Sequence, residues 1–300
     1  MEKKVKFRNM RPEDKIFEII NILLLTLFTI IILYPLLYVL AASFSDPQAV
    51  VAGEVYIWPV RPTLRGYDAV FKNGKIQTGF INSIYYMVVG TLVNLVMTML
   101  CAYPLSRKEF KARGALSKFF VFTMYFSGGL VPSYMLISNL NLIDTRWVMI
   151  IPTAMSTYNM IICRTYMMNN IPDELYEAAQ LDGCSPWKYF IRIITPLCKP
   201  ILAVLTLYYG VSRWNSYFDA MLYLRKESLQ PLTIVMREIL IQGNVDMTQI
   251  SDATNLAKLQ GMSELLKYST IVVASVPVML LYPFVQKYLV KGVMVGSVKG

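Results

Sequence analysis

Six apolar stretches, each about the length needed to cross a roughly 30 Å hydrocarbon core, leave this chain very few ways to fold. They run approximately over Ile16–Ala42, Phe80–Leu105, Phe119–Leu140, Trp147–Met168, Ile201–Leu224 and Leu265–Leu289. In hydrocarbon a run of this length satisfies its own backbone as a helix. The expected architecture is therefore all-α and polytopic, with six transmembrane helices within residues 16–290, a basic arm at 1–15 and a tail at 291–300. The charged share is 16%, against the roughly 25% of soluble domains. Lys3, Lys4, Lys6 and Arg8 precede the first run and Ala41-Ala42-Ser43 follows it, as in a secretory signal. A signal core spans only about 7–15 residues, so the longer first run is read as an uncleaved helix.

Lysine and arginine set the orientation. They fall two to one on the side of the N-terminus. Both termini and the segment 169–199 are thus expected in the cytoplasm, with the loops 43–78 and 225–263 outside. This bias, together with attraction to anionic lipid, accounts for much of the +10 net charge without calling for nucleic acid.

Several chemistries are excluded. The chain has no histidine, which removes histidine triads and histidine-bearing metal sites. Its four cysteines lack metal spacing, and no metal or catalytic residue is assigned. No GxxxxGK[ST] loop is present, so ATP binding of the P-loop kind must come from another polypeptide.

The cytoplasmic stretch Asp173–Pro196 reads as two short helices around a sharp turn. Asp173, Glu174 and Glu177 place negative charge at a helix start, Gly183 suits the left-handed residue that ends it, and Ser185-Pro186 is a cap and first-turn pair for a second helix. Pro196 and Pro200 are expected to close that second helix. An amphipathic hairpin on the membrane surface would also fit the pattern.

Within the spans, Pro35 predicts a kink. Gly90, Asn94 and Thr98 recur every four residues on one face of the second run, a pattern for close packing or a lined path. Gly128, Gly129 and Pro132 break the third run, which suits a structural kink or a gate equally. The fourth run carries Ser156, Tyr158 and Asn159, and the fifth carries Tyr208, Tyr209, Arg213, Trp214, Asn215 and Asp219. Aromatic faces with amide and guanidinium donors suit a polyhydroxylated sugar, and a charge inside a span is a site hypothesis by default. Arg213 could equally snorkel to the external interface or pair with Asp219. In the external loops, Trp58-Pro59 and Tyr67 would anchor the interface or meet a partner, and a short amphipathic helix is expected around Leu232–Ile241.

Glu177-Ala178-Ala179, with Gly183, Ile193 and Pro196 at fixed offsets, resembles the EAA loop of ABC importer permeases; Thr195 stands where that family usually has leucine. The Gly128-Gly129-Leu130-Val131-Pro132 segment and the glycine-spaced tail resemble the same family in its MalG-type carbohydrate branch, and the segments Trp214–Leu224 and Pro231–Leu240 resemble its oligosaccharide subgroup of LplC- and YtcP-like subunits. The resemblance implies a MalF/MalG-like type I importer permease fold in a bacterial cell membrane. It implies a second homologous permease subunit, two copies of a cytoplasmic ATPase that bind ATP and Mg, an extracytoplasmic solute-binding protein and an oligosaccharide substrate. This chain would bind no cofactor itself. Glu177, Ala178, Ala179, Asp182 and Gly183 would couple to the ATPase, and Gly296, Lys299 and Gly300 would reach it from the tail. Sugar would move by alternating access. An ion-driven secondary transporter is the other class that fits, although no internal repeat or acidic relay is visible. A membrane-embedded enzyme lacks its nucleophile–base pair.

Overall fold

The computed structural model describes residues 11–242 and 253–297. Most of the basic arm, together with Lys299 and Gly300, lies outside the described residues. Among those described there is no strand. The chain forms two compact units, one built from the chain up to Lys72 with Ile239–Val273, the other from Asn73–Glu238 with the chain from Ala274 onward.

The first unit begins with α1 (Pro12–Ser43), α2 (Pro47–Val51) and α3 (Arg65–Lys72). Helix α1 is apolar along its length and continues through Pro35. Its span window buries nothing within the protein, as expected of a helix solvated by lipid. The stretch after it is ordered by short-range polar bonds. Asp46 caps α2 by accepting from Gln48 N–H at 3.0 Å, and Ser45 Oγ donates to Ala41 O while accepting from Val60 N–H. The Tyr67 hydroxyl lies 2.8 Å from Ser43 Oγ, so Tyr67 is spent on internal packing, while Trp58 stays exposed.

The second unit is organised on α4 (Gly74–Ser106), followed by α5 (Arg113–Tyr125) and α6 (Leu130–Asn139). The third apolar run is therefore two helices meeting at 114°. Gly129 sits at the bend with φ +89°, a left-handed value that a side chain resists.

The fourth run departs most from expectation. In place of one helix over Trp147–Met168, a 3₁₀ turn at Arg146–Met149 gives way to irregular backbone, and α7 begins only at Thr157 and ends at Asn170. Pro152 withholds an N–H inside the break, and the Ser156 side chain caps the new helix. Next come α8 (Glu174–Leu181), α9 (Pro186–Tyr189), a π turn at Phe190–Ile194, α10 (Thr195–Leu197) and α11 (Lys199–Trp214). The prolines do not close the second helix of this stretch. Pro196 and Pro200 sit in first turns of α10 and α11, where a missing N–H costs nothing, and the chain bends by 76° between Pro186–Leu197 and Lys199–Trp214.

The chain continues through α12 (Phe218–Tyr223), α13 (Leu232–Gln242) and α14 (Ala253–Ser297). Among the described residues, three helices are long and apolar enough to cross a membrane uninterrupted, and up to five spans result if each bent pair counts as one. The stretch before α13 is fastened to the start of α4. Asn82 Nδ2 donates to Ser228 O and Gln230 O, Tyr86 OH donates to Leu229 O, and Ser83 Oγ accepts from Leu232 N–H.

Candidate functional site

The helical hairpin after α7 shows two unlike sides. Its inner side is packed: Ala179, Tyr189, Phe190 and Ile194 belong to one apolar core with Met167, Ile171 and Cys198. The Arg107 guanidinium stacks on Tyr176, 4.1 Å from the ring centre, and Tyr176 meets Tyr189 edge to face at 5.0 Å. Asp173, at the entry to α8, accepts from Lys108 Nζ at 2.7 Å, with Arg107 Nη1 at 3.9 Å. The Lys108 hydrogen bond holds the Asp173 carboxyl below its ordinary value. Gly183 at φ +69° makes the turn, and Ser185 Oγ accepts from Lys188 N–H to start α9.

The outer side is unsatisfied. Leu181 is 90% exposed and Trp187 66%. Glu177, Ala178 and Asp182 are exposed, and Glu177 makes no ion pair among the described residues. Two large apolar side chains, one small one and two carboxylates without an ion pair among the described residues form, on one short hairpin, a surface suited to another protein.

A second constellation lies inside the membrane-spanning part. Arg213 is 6% exposed, and all of its N–H groups are engaged. Nε donates to Asn94 Oδ1 at 2.9 Å. Nη1 donates to Met149 O and to Thr153 Oγ1. Nη2 donates to Ile150 O at 3.2 Å and Thr153 O at 2.8 Å. The acceptors are largely the carbonyls freed where the fourth run unwinds, so the guanidinium supplies the hydrogen bonds that the helix does not. Asn94 Nδ2 adds a bond to Thr153 O. One turn earlier on α11, Tyr209 OH meets Thr98 Oγ1 at 2.7 Å and accepts from Ser156 N–H. Gly90 is the seat of the guanidinium, since a Cβ there would lie 2.9 Å from Arg213 Nε.

Beside this clasp opens a cavity of about 530 Å³, lined by Tyr158 and Asn159 of α7, Leu207, Tyr208 and Val211 of α11, and Val278 and Tyr282 of α14. Of the residues the sequence offered for a substrate path, Tyr158 and Asn159 line it. Tyr209, Arg213 and Trp214 are buried in packing, with Trp214 Nε1 donating to Ala274 O. Arg213 therefore does not snorkel. Asn215 returns its side-chain amide to Val211 O at the end of α11, and Asp219 forms no direct ion pair with Arg213 among the described residues. Neither borders the cavity. Tyr282 went unnoticed, because a tyrosine within an apolar run carries no local sign of which way it faces. Gly296 falls within the last helix.

The sequence matches the family model described as "Binding-protein-dependent transport system inner membrane component" over residues 7–295. It is 35% identical over 96% of its length to all of the polygalacturonan/rhamnogalacturonan transport system permease protein YtcP of Bacillus subtilis. It is 37% identical to protein LplC of the same organism, covering 95% of this chain and 96% of that one. Among solved structures, it resembles a chain of a bacterial ABC transporter involved in the import of the acidic polysaccharide alginate. The TM-score is 0.85 at 32% identity, covering 93% of this chain and 98% of that one.

Proposed function

The chain belongs to the family of binding-protein-dependent transport system inner membrane components, and from that premise we propose that it is the permease subunit through which an ABC importer draws an oligosaccharide into the cell. A second permease subunit completes the membrane domain. Two copies of a cytoplasmic ATPase, with their ATP and Mg, drive it, and an extracytoplasmic binding protein delivers the sugar. The termini and the α8–α9 hairpin face the cytoplasm, in keeping with the basic residues.

The observation that carries this reading is the two-sided hairpin. Leu181 and Trp187 are exposed on the hairpin that carries Glu177, which makes no ion pair among the described residues, and the inner side is fixed to the cytoplasmic end of α4 through Arg107 and Lys108. A push on the outer side is passed into α4 and, through the bend at Cys198, into α11. The cavity of Tyr158, Asn159, Tyr208 and Tyr282 has an almost wholly apolar surface, offers aromatic faces on which sugar rings stack, and is the candidate wall of the path. Fragments of acidic polysaccharides are the first substrates to try, given the relatives' names.

The test is ATP hydrolysis by the purified complex in lipid, with its binding protein, across a panel of neutral and uronate oligosaccharides. Stimulation by one class, abolished by Glu177→Lys, supports the proposal. Uptake that follows an ion gradient, with no ATPase in the complex, overturns it in favour of a secondary transporter.

A further inference from the structure

The geometry points to Arg213 as a positioning residue that ties the unwound part of the fourth run to α11, so that the wall of the cavity moves with the helix leading from the hairpin. The inference rests on the importer reading above and goes beyond it by naming how motion reaches the path. Break and helix touch at two levels one turn apart. Arg213 holds Met149 O, Ile150 O and both oxygens of Thr153, and Tyr209 receives Ser156 N–H. Tyr158 follows Ser156 by two residues, in the first turn of α7, and lines the cavity. An unwound segment fixed only at its ends would absorb a displacement of α11 by flexing. One whose carbonyls are held by a planar, fully engaged guanidinium follows it as a body. Asn94, bonded to both Arg213 and Thr153, closes the third side from α4.

Arg213 therefore does not contact sugar. Its role is read at Tyr158. In the assembled complex, with partly exposed Cys101 and Cys184 replaced by serine, Tyr158→Cys is reacted with a hydrophilic maleimide, without nucleotide and then trapped with ATP and vanadate. A rate ratio of about fivefold or more between the two states is expected where sites are coupled. Thr153→Val, which removes one acceptor of Arg213 at nearly constant volume, and Arg213→Lys, which loses the planar fork, should bring the ratio toward one. Thr153→Ser, which keeps the hydroxyl, should restore it. Vanadate trapping should persist in every variant.

An unchanged ratio in Thr153→Val and Arg213→Lys overturns the inference and leaves the importer reading intact. Failure of both variants and of Thr153→Ser to assemble makes the clasp a folding element only and also overturns it. Absence of a vanadate-trappable ATPase from the unmodified complex defeats the importer reading itself.

Discussion

The α8–α9 hairpin and the Arg213 clasp use polar chemistry in opposite ways. At the clasp, a charge in the apolar part of the protein has every donor matched, because an unpaired one would face hydrocarbon or packed side chains. At the hairpin, Glu177 is left unpaired beside exposed Leu181 and Trp187, because water solvates the carboxylate until another surface covers it. The first arrangement serves the fold and holds its shape alone. The second is complete only with something docked on it. Polarity by itself did not separate the two; the count of satisfied partners does.

That contrast can be broken by substitution. The largest effect is expected from Arg213→Met, which leaves the carbonyls of Met149 and Ile150, the Thr153 hydroxyl and the Asn94 amide oxygen without their donor. Each buried acceptor left without a donor costs about 1–3 kcal/mol, so the protein should largely vanish from the membrane fraction on quantitative immunoblotting. Undiminished abundance would show that lipid or water can replace the guanidinium. Glu177→Lys should do the reverse, leaving membrane abundance and thermal midpoint unchanged while binding-protein-stimulated ATP hydrolysis is lost. Gly183→Val forces a branched side chain to φ +69° at a cost of about 1–2 kcal/mol. It should lower both stability and coupling, the one prediction that blurs the contrast.

The smallest effect concerns Lys108→Ala. Asp173 is depressed chiefly by the Lys108 hydrogen bond, so its stabilisation is present above the ordinary carboxylate value of 3.8 and disappears as the pH falls through the lower, folded value. Without Lys108 that contribution is largely absent, so the variant should be less stable than the parent at neutral pH, and the two thermal midpoints should converge as the pH falls through the lower, folded value. Because the pair is exposed to solvent, the difference at neutral pH should shrink as salt is added.

The hairpin was largely legible in sequence because its signals are local. A proline and acidic residues open α8, a glycine at left-handed φ ends it, and Ser185-Pro186 opens α9. Chain order alone could not show that Pro196 and Pro200 would begin turns instead of ending one, since this depended on the π turn that Thr195 closes onto Phe190 O. The clasp was illegible for a different reason. Arg213 looked like a residue in a path because its partners are 60 to 119 positions away, and no periodicity in the fifth run points to Asn94 or Thr153. The break in the fourth run was hidden likewise: apolar composition marks residues that avoid water and says little about whether their backbone is helical. Tyr208 and Tyr209 stand side by side, and the direction of α11 decides that one borders the cavity while the other is buried.

The distance along the chain between Thr153 and Arg213 also bears on biosynthesis. A ribosome adding about 5–20 residues per second needs roughly 3–12 s to synthesise the 60 residues that separate them. For that interval the unwound stretch has been synthesised and its cationic partner has not. Newly made fourth runs must wait in water, in the insertion machinery or against another chain, and maturation is complete only when the fifth run arrives to release them.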